Sequence, residues 1–247
     1  FKRLVNQGMI LGEDSRKMGK RYGNTVDPFD VIKEYGADTL RMFEMFLGPI
    51  EQDKPWSKSG LDGVRRFLNR AWRLFCDDEG NLRPEITDAP MSSDVERLVH
   101  QTIAKVDEDT EALRFNTAIS QMMIFVNDML KTEERPREAL ESFCLVLAPY
   151  APHFAEELWS RLGHKETIAY APFPEADPAR LVSDTIEVPV QVNGKVRARL
   201  QVAADIDEET IKALALGDET IDGWVSGKEL KVFKYIPGRL VTIAVKG

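Results

Sequence analysis

A nine-residue stretch near the start of the chain gathers residue types that can bind phosphate. Residues 16–24 read RKMGKRYGN, with four cationic side chains and two glycines. Lysine ammonium groups on such a loop can reach phosphate oxygens, and Gly19 and Gly23 let the backbone approach a ligand or change shape. Positive charge in a water-poor site would stabilise the negative charge that develops on a leaving pyrophosphate. The same composition also suits a loop that is merely solvated, so the stretch alone leaves both interpretations open.

Charge is distributed unevenly along the chain. The 247 residues carry a formal net charge of −8, yet the first 24 contain six Lys or Arg and only two Asp or Glu. An acidic body argues against binding of nucleic acid over the whole surface. A local cluster of cations on that body favours a polyanionic ligand held in one place.

Two further groups of basic residues are candidates for contact with nucleic acid. The first lies on a predicted helix and comprises Arg65, Arg66, Arg70 and Arg73. The second is the row Lys195, Arg197 and Arg199 in a predicted strand. Spacings of three, four and eight bring most of the helical arginines to one side. Each group also has a structural interpretation, as solvated arginines beside core residues or as charges that protect a sheet edge from aggregation.

Capping residues and apolar periodicity predict a helical first part. The predicted helices of the first 75 residues run from Asp27-Pro28 to Gly36, from about Asp38 to Gly48-Pro49, and from Ser57 or Ser59 to about Phe75. After a surface connection over residues 77–91, further helices are predicted from about Ser93 to Leu113, over residues 117–131, from Pro136 to about Leu147, and from His153 to Gly163. These helices predict an antiparallel bundle of four or five members.

The last 60-odd residues predict a separate α+β domain. Residues 171–184 are rich in proline and polar residues and are expected to form a linker. Residues 185–202 alternate with period two, residues 205–217 predict a short helix capped by Asp205, and residues 230–245 predict two strands around Pro237-Gly238.

The first hairpin of this domain allows a closer prediction. A two-residue turn at Asn193-Gly194 would mix valines and basic residues on one face. A three-residue loop would instead pair Val190 with Val196, separate the faces and leave Lys195, Arg197 and Arg199 in one basic row opposite Glu187. Pro189 marks the first strand of the hairpin as an edge.

Several longer segments carry a family resemblance. Residues 9–28 followed by residues 32–45 resemble the KMSKS region of class I aminoacyl-tRNA synthetases and the helices after it. The segments NQGMILGED, EMFLGPI, KPWSKSGLDGVRRFLNRAWRLF, LAPYAPHFAEELW and VPVQVNGKVRARL together are similar to bacterial enzymes of the leucine-specific family. The resemblance covers essentially the whole chain in the right order. It implies the end of a Rossmann-like catalytic domain at residues 1–50, an anticodon-binding-type bundle at 51–170, a linker at 171–184 and a tRNA-binding α+β domain at 185–247.

The resemblance implies roles for the basic loop. In the family the KMSKS loop closes over ATP, and its second lysine stabilises the transition state of adenylate formation. Lys17, Met18 and Lys20 match the motif, so Lys20 is the expected catalytic residue, Lys17 supports it, and residues 17–21 are expected to bind ATP. Gly23-Asn24 match the continuation. Gly19 and Arg21 stand where the family usually has serine; Gly19 is expected to loosen the loop and Arg21 to add charge.

Partners follow from the same resemblance. Arg66, Arg70 and Arg73, with Lys195, Arg197 and Arg199, are expected to contact tRNA(Leu), mainly through shape and phosphate. Leucine would be bound mainly by a part not contained here, since the family's His-Ile-Gly-His-like signature is absent from the sequence. ATP is expected as a substrate, with Mg²⁺ in the whole enzyme, and no metal site is expected in this chain.

Two functional hypotheses result. The first is part of a leucine–tRNA ligase, inactive alone, monomeric and cytoplasmic; the start at Phe1 and two cysteines far apart in sequence fit a fragment of a cytosolic protein. The rival is a non-catalytic tRNA-binding module derived from a synthetase, which the changes at Gly19 and Arg21 keep open. No apolar run is long enough to predict a membrane span.

Overall fold

The structure of the protein is a computed structural model that describes residues 2–181 and 185–246. The chain divides after Leu181 into two compact units, each with its own hydrophobic core. The mainly helical first part and the small α+β second part confirm the predicted fold class.

Local capping signals define the start of the first unit. Strand β1 (Ile10–Leu11) pairs in parallel with β2 (Lys54–Pro55). Helix α1 (Pro28–Tyr35) begins where the Asp27 side chain accepts a 2.9 Å hydrogen bond from the Phe29 N–H. It ends at Gly36, whose φ of 90° favours glycine, and α2 (Ala37–Phe46) follows directly. The helix boundaries predicted at Asp27-Pro28 and Gly36 are confirmed.

Five further helices form the bundle. They are α3 (Lys58–Phe75), α4 (Ser93–Glu111), α5 (Phe115–Met129), α6 (Arg137–Leu147) and α7 (Pro152–Arg161). Ser57 caps α3 by accepting a hydrogen bond from the Gly60 N–H. The apolar faces of the helices meet in one core, where the rings of Phe125 and Phe143 stack at 4.8 Å. The predicted helical segments are confirmed to within a few residues.

The connection between α3 and α4 is tied to the bundle, a contact the sequence pattern did not predict. Within it, β3 (Ile86–Thr87) pairs in parallel with β4 (Arg135–Pro136). Arg135 is buried, and its Nη1 donates to the carbonyl of Leu74 at 3.0 Å. Non-local pairing of this kind leaves no periodic signal in either segment.

The expected linker at residues 171–184 is wrong for much of its described part. A single 3-10 turn (Pro178–Arg180) lies against α4. There the Asp177 N–H donates to His100 Nδ1 at 3.1 Å, and Arg180 forms an ion pair with Glu96. Proline and polar content predicted freedom here, but these contacts fasten the segment. Residues 182–184 lie outside the described residues.

The second unit is a four-stranded sheet with two helices. Its elements are β5 (Thr185–Val192), β6 (Lys195–Ala203), α8 (Glu208–Gly217), α9 (Glu219–Val225), β7 (Glu229–Ile236) and β8 (Leu240–Lys246). The strand order is β6-β5-β8-β7, and β5 and β8 are parallel. Valines of β5 and isoleucines of β8 and both helices form the core.

The predicted position of β5 at a sheet edge is wrong. β5 lies between β6 and β8. Pro189 is tolerated in this inner strand because pairing with β8 runs only from Val190 to Val192, past the proline.

The predicted hairpin register is also wrong. The turn has two residues, Asn193 and Gly194, with φ of 49° and 79°, so Val192 pairs with Lys195. A bulge at Arg197 then changes the alternation, and Val190 pairs with Ala198 instead of Val196. The bulge keeps the valines on the buried face without a three-residue loop.

The predicted cap of the first helix in this unit is displaced by two residues. Asp207, not Asp205, caps α8 by accepting from the Thr210 N–H at 2.8 Å. A second helix, α9, was not predicted; Asp218 caps it by accepting from the Thr220 and Ile221 N–H groups. Acidic residues cluster before both helices, so the pattern alone did not identify which one is the cap.

Candidate phosphate loop and basic surfaces

The basic loop is built from two linked turns. In the first, the Gly12 N–H donates to the carbonyl of Arg16 at 2.8 Å, beside an antiparallel bridge between Leu11 and Lys17. In the second, a 3-10 turn (Lys20–Tyr22) closes with the Tyr22 N–H on the carbonyl of Gly19 at 2.9 Å. Gly23 ends it with φ of 64°. The loop therefore has a defined backbone shape.

One amide side chain joins the two turns. Asn24 Oδ1 accepts from the Gly19 N–H at 2.9 Å, and Nδ2 donates to Asp14 Oδ1 at 3.1 Å and to the carbonyl of Lys17 at 3.4 Å. The hydrogen bond from Asn24, followed by that from the Arg16 N–H, lowers the pKa of Asp14 below its ordinary value. Neither Asn24 nor Asp14 has a predicted role in the sequence, although Asn24 belongs to the matched motif.

The cations of the loop face solvent. Lys17, Lys20 and Arg21 are exposed, and within residues 2–181 and 185–246 the two lysine ammonium groups form no ion pair. The guanidinium of Arg21 lies 4.4 Å above the ring of Tyr22 and donates to its hydroxyl. A cleft of about 590 Å³ is lined by Arg16, Lys17, Met18, Gly19, Arg21 and Tyr22. Both lysines are thus available to an anionic ligand, whereas Arg21 is partly engaged.

Gly19 does not need the conformational freedom of glycine. Its φ of −162° is extended backbone that any residue adopts. A Cβ atom built there would meet Cδ2 of Tyr22 at 3.2 Å, a close contact with a ring edge. The expectation that Gly19 loosens the loop finds no support in its backbone conformation.

The arginines of α3 separate into two sets. Arg65 donates to the carbonyl of Glu34 at 3.2 Å and lies over the ring of Tyr35. Arg66, Arg70 and Arg73 are exposed, lie four and three residues apart, and form no ion pair with any described residue. These three residues, called the α3 stripe below, lie on one side of the helix.

The basic residues of the second unit do not form the predicted row. Lys195 pairs with Val192 and Arg199 with Pro189, an odd number of residues apart on β5, so the two side chains leave opposite faces. Arg199 forms an ion pair with Glu187 at 2.5 Å. Arg197, at the bulge, stacks on Trp224 of α9 at 3.6 Å. The bulge is the physical reason for the difference.

Other reactive groups have structural surroundings. Burial raises the pKa of the Cys144 thiol far above its ordinary value, and burial also raises that of Cys76. Among the described residues no group of three His, Cys, Asp or Glu side chains could hold a metal ion. No helix in the described ranges is long and apolar enough to span a membrane.

Two segments of the chain match models of known protein families. Residues 1–57 match the family model of class I tRNA synthetases (I, L, M and V), and residues 94–212 match that of the anticodon-binding domain of tRNA ligase. The structure is similar to that of LeuRS from Agrobacterium radiobacter K84, solved in a ternary complex with tRNA and LeuAMS. The TM-score is 0.75 at 29% sequence identity, and the match covers 98% of this chain and 33% of that protein.

The chain therefore contains a segment similar to class I tRNA synthetases of the I, L, M and V group, followed by a segment similar to the anticodon-binding domain of tRNA ligase. The KMSKS resemblance of residues 17–21 lies inside the first matched segment. Over nearly its whole length the chain resembles the C-terminal portion of a leucyl-tRNA synthetase, and it spans about a third of the matched protein.

Proposed function

We propose that the chain supplies the ATP-closing loop and the tRNA-binding surfaces of a leucyl-tRNA synthetase. That enzyme would activate leucine with ATP to leucyl-adenylate and transfer the leucine to tRNA(Leu) in the cytoplasm. The observation that carries the proposal is the loop of residues 14–24, in which backbone hydrogen bonds fix the turns and leave two lysines exposed, without an ion pair to any described residue. Catalytic cations need this combination of fixed backbone and free charge.

The two lysines suit the chemistry of adenylate formation. When the leucine carboxylate attacks the α-phosphate of ATP, the bond to pyrophosphate breaks and negative charge grows on the leaving oxygens. Lys20, at the start of the 3-10 turn, would stabilise that charge, and Lys17 would help to hold the phosphates. Mg²⁺ would enter with ATP, while Met18, Gly19 and Arg21 would line the nucleotide side of the loop.

The basic surfaces support contact with tRNA. In the α3 stripe, Arg66, Arg70 and Arg73 offer guanidinium groups that no described residue neutralises. Such groups match phosphate oxygens geometrically. Lys195, Arg197 and Arg199 are proposed as a second contact, made by separate groups on two faces of the hairpin instead of by one row. Leucine and most of ATP would be bound by the part of the enzyme outside this chain.

Leucine-dependent exchange of pyrophosphate into ATP tests the proposal. The purified chain alone should show none, because the leucine pocket lies elsewhere. In a synthetase polypeptide that contains the chain, Lys20→Ala should lower the exchange rate by about 10²- to 10³-fold, the usual cost of removing one transition-state donor. Lys165→Ala, which removes an equal charge from another exposed loop, is the matched control.

The outcomes separate the two functional hypotheses. Exchange that survives Lys20→Ala at the control rate would overturn the catalytic assignment. A full-length natural protein that binds tRNA(Leu) but shows no exchange with any amino acid would identify the rival, a tRNA-binding module derived from a synthetase.

A further inference from the structure

The side-chain amide of Asn24 forms hydrogen bonds with three residues of the basic loop, here taken as residues 14–24. It accepts from the Gly19 N–H at 2.9 Å and donates to the Asp14 carboxylate at 3.1 and 3.3 Å and to the Lys17 carbonyl at 3.4 Å. Asn24 is partly buried, while the lysines it links are exposed. None of its contacts involves a lysine ammonium group.

An amide suits this position for a chemical reason. The site needs an acceptor for the Gly19 N–H and donors for Asp14 and the Lys17 carbonyl, and a primary amide provides both. A carboxylate at position 24 could still accept from Gly19. It could not donate, and it would place a second negative charge within hydrogen-bond distance of Asp14.

The contacts of Asn24 hold the backbone between the two lysines. The held atoms at Lys17 and Gly19 are on either side of Met18, and the Gly19 carbonyl accepts from the Tyr22 N–H to start the turn that carries Lys20. The Asp14 carboxylate is occupied by Asn24 and by the Arg16 N–H at 3.1 Å, and it forms no ion pair with either lysine among the described residues. The lysine charges therefore stay available.

The contact between Asp14 and Asn24 leaves no room for a side chain at Gly12. Gly12 is buried, and a Cβ built on it would lie 2.7 Å from Asp14 Oδ1 and 2.8 Å from Asn24 Nδ2. Any side chain at position 12 would force the two groups apart. Gly12, Asp14 and Asn24 thus form one packed unit, called the loop clamp below.

We propose that Asn24 is a positioning residue for adenylate formation, acting through the loop clamp to place Lys17 and Lys20 against the phosphates of ATP. The inference rests on the function proposed above. Asn24 does not touch the substrate in this role. It fixes the backbone from which both cations extend, so its loss would lower the rate of the chemical step more than the binding of leucine.

Swapping the carboxylate and the amide between Asp14 and Asn24 tests the proposal, and hydrogen exchange of the Gly19 amide is the first readout. In the chain itself, Asn24→Asp should speed hydrogen exchange of the Gly19 amide about tenfold, since the clamp loses its donors and gains a repulsion. The double variant Asp14→Asn/Asn24→Asp restores a donor facing an acceptor and should return the rate to within about threefold of the wild type. Gly12→Ala should speed the exchange without changing any charge.

Turnover in a synthetase polypeptide that contains the chain gives the second readout. Asn24→Asp should lower kcat for pyrophosphate exchange by up to about 100-fold, leave KM for leucine unchanged, and be rescued by the double variant. Gly12→Ala should behave like Asn24→Asp.

Different results overturn different claims. The positioning role is overturned if Asn24→Asp speeds hydrogen exchange of the Gly19 amide but leaves kcat normal. It is also overturned if the double variant fails to restore kcat. If Lys20→Ala has normal kcat in the same assay, the proposed function itself fails, and the amide-exchange data still decide whether the clamp holds the loop.

Discussion

Gly19 and Gly23 of the basic loop differ in what limits a side chain at each position. Gly23 has φ of 64°, in the left-handed region, and open space around its Cα, so only backbone strain opposes a side chain there. Gly19 has an extended backbone, and only the ring of Tyr22 limits a side chain. Replacement of the usual motif serine by Gly19 is therefore a change in contact and hydroxyl content, not in backbone requirement.

Serine substitutions at these two glycines should separate the two effects. Gly23→Ser should cost about 1–2 kcal/mol locally and speed hydrogen exchange of the Tyr22 amide at least about fivefold. Gly19→Ser should change that rate less than about fivefold, because the Tyr22 ring can yield by a few tenths of an ångström. Amide exchange followed by NMR measures both, and equal effects would show that Gly19 is also a backbone requirement.

At the scale of the element, α3 has two distinct faces. Its apolar side chains, among them Val64, Phe67 and Leu74, are buried in the bundle. The α3 stripe lies on the opposite, exposed face. Because no ion pair with a described residue holds these arginines, they contribute little to stability and remain free to bind phosphate.

Charge reversal of the α3 stripe should weaken tRNA binding. The triple variant Arg66→Glu/Arg70→Glu/Arg73→Glu should raise the Kd for tRNA(Leu) at least about tenfold and make log Kd less dependent on log salt, by about 0.7–0.9 for each lost phosphate contact. Filter binding at several salt concentrations measures both quantities.

A control variant tests whether the position of the charges matters. Lys33, Lys131 and Lys165 are exposed elsewhere in the first unit, and their reversal to glutamate makes the same change in net charge. Equal loss of affinity in this control would mean that only overall charge acts. Unchanged affinity in the stripe variant would return Arg66, Arg70 and Arg73 to the role of solvated surface arginines.

At the scale of the molecule, the chain has two hydrophobic cores with no shared members. Phe125 belongs to the core of the helical unit and Ile243 to that of the sheet unit, and both are essentially inaccessible to solvent. The packing of each core can therefore be disrupted without disrupting the other. Each unit is expected to unfold in its own cooperative transition.

Core truncations should destabilise one unit at a time. Phe125→Ala should lower the free energy of unfolding of the first unit by about 3–5 kcal/mol, and Ile243→Ala that of the second by about 2–5 kcal/mol, because each leaves a cavity. Hydrogen exchange read by mass spectrometry of peptides from each unit measures the two effects. Matched loss of protection in both units from either variant would contradict independent cores.

Sequence reasoning was accurate where the deciding interactions are local. Asp27 as a cap, Gly36 as a helix end and the amphipathic bundle helices all depend on neighbours within one or two turns, and they are found as predicted. Of the two predicted caps of α3, Ser57 and Ser59, the structure has Ser57. Sequence reasoning failed at residues whose environment is set from afar. The inner position of β5 and the docking of Asp177 on His100 depend on partners far along the chain. The bulge at Arg197 interrupts the period-two alternation inside the hairpin, and the alternation itself gave no sign of it.

The sequence by itself determined which residues bear the charge: the two motif lysines of the loop and the arginines of α3. Only the tertiary structure decided how those charges are held. Asn24 is ten residues from Asp14, and periodicity does not report which donor meets which acceptor across a folded loop. Hydrogen bonds between such residues form only when the whole backbone path is fixed, and for that reason the clamp behind Lys17 and Lys20 became visible in three dimensions.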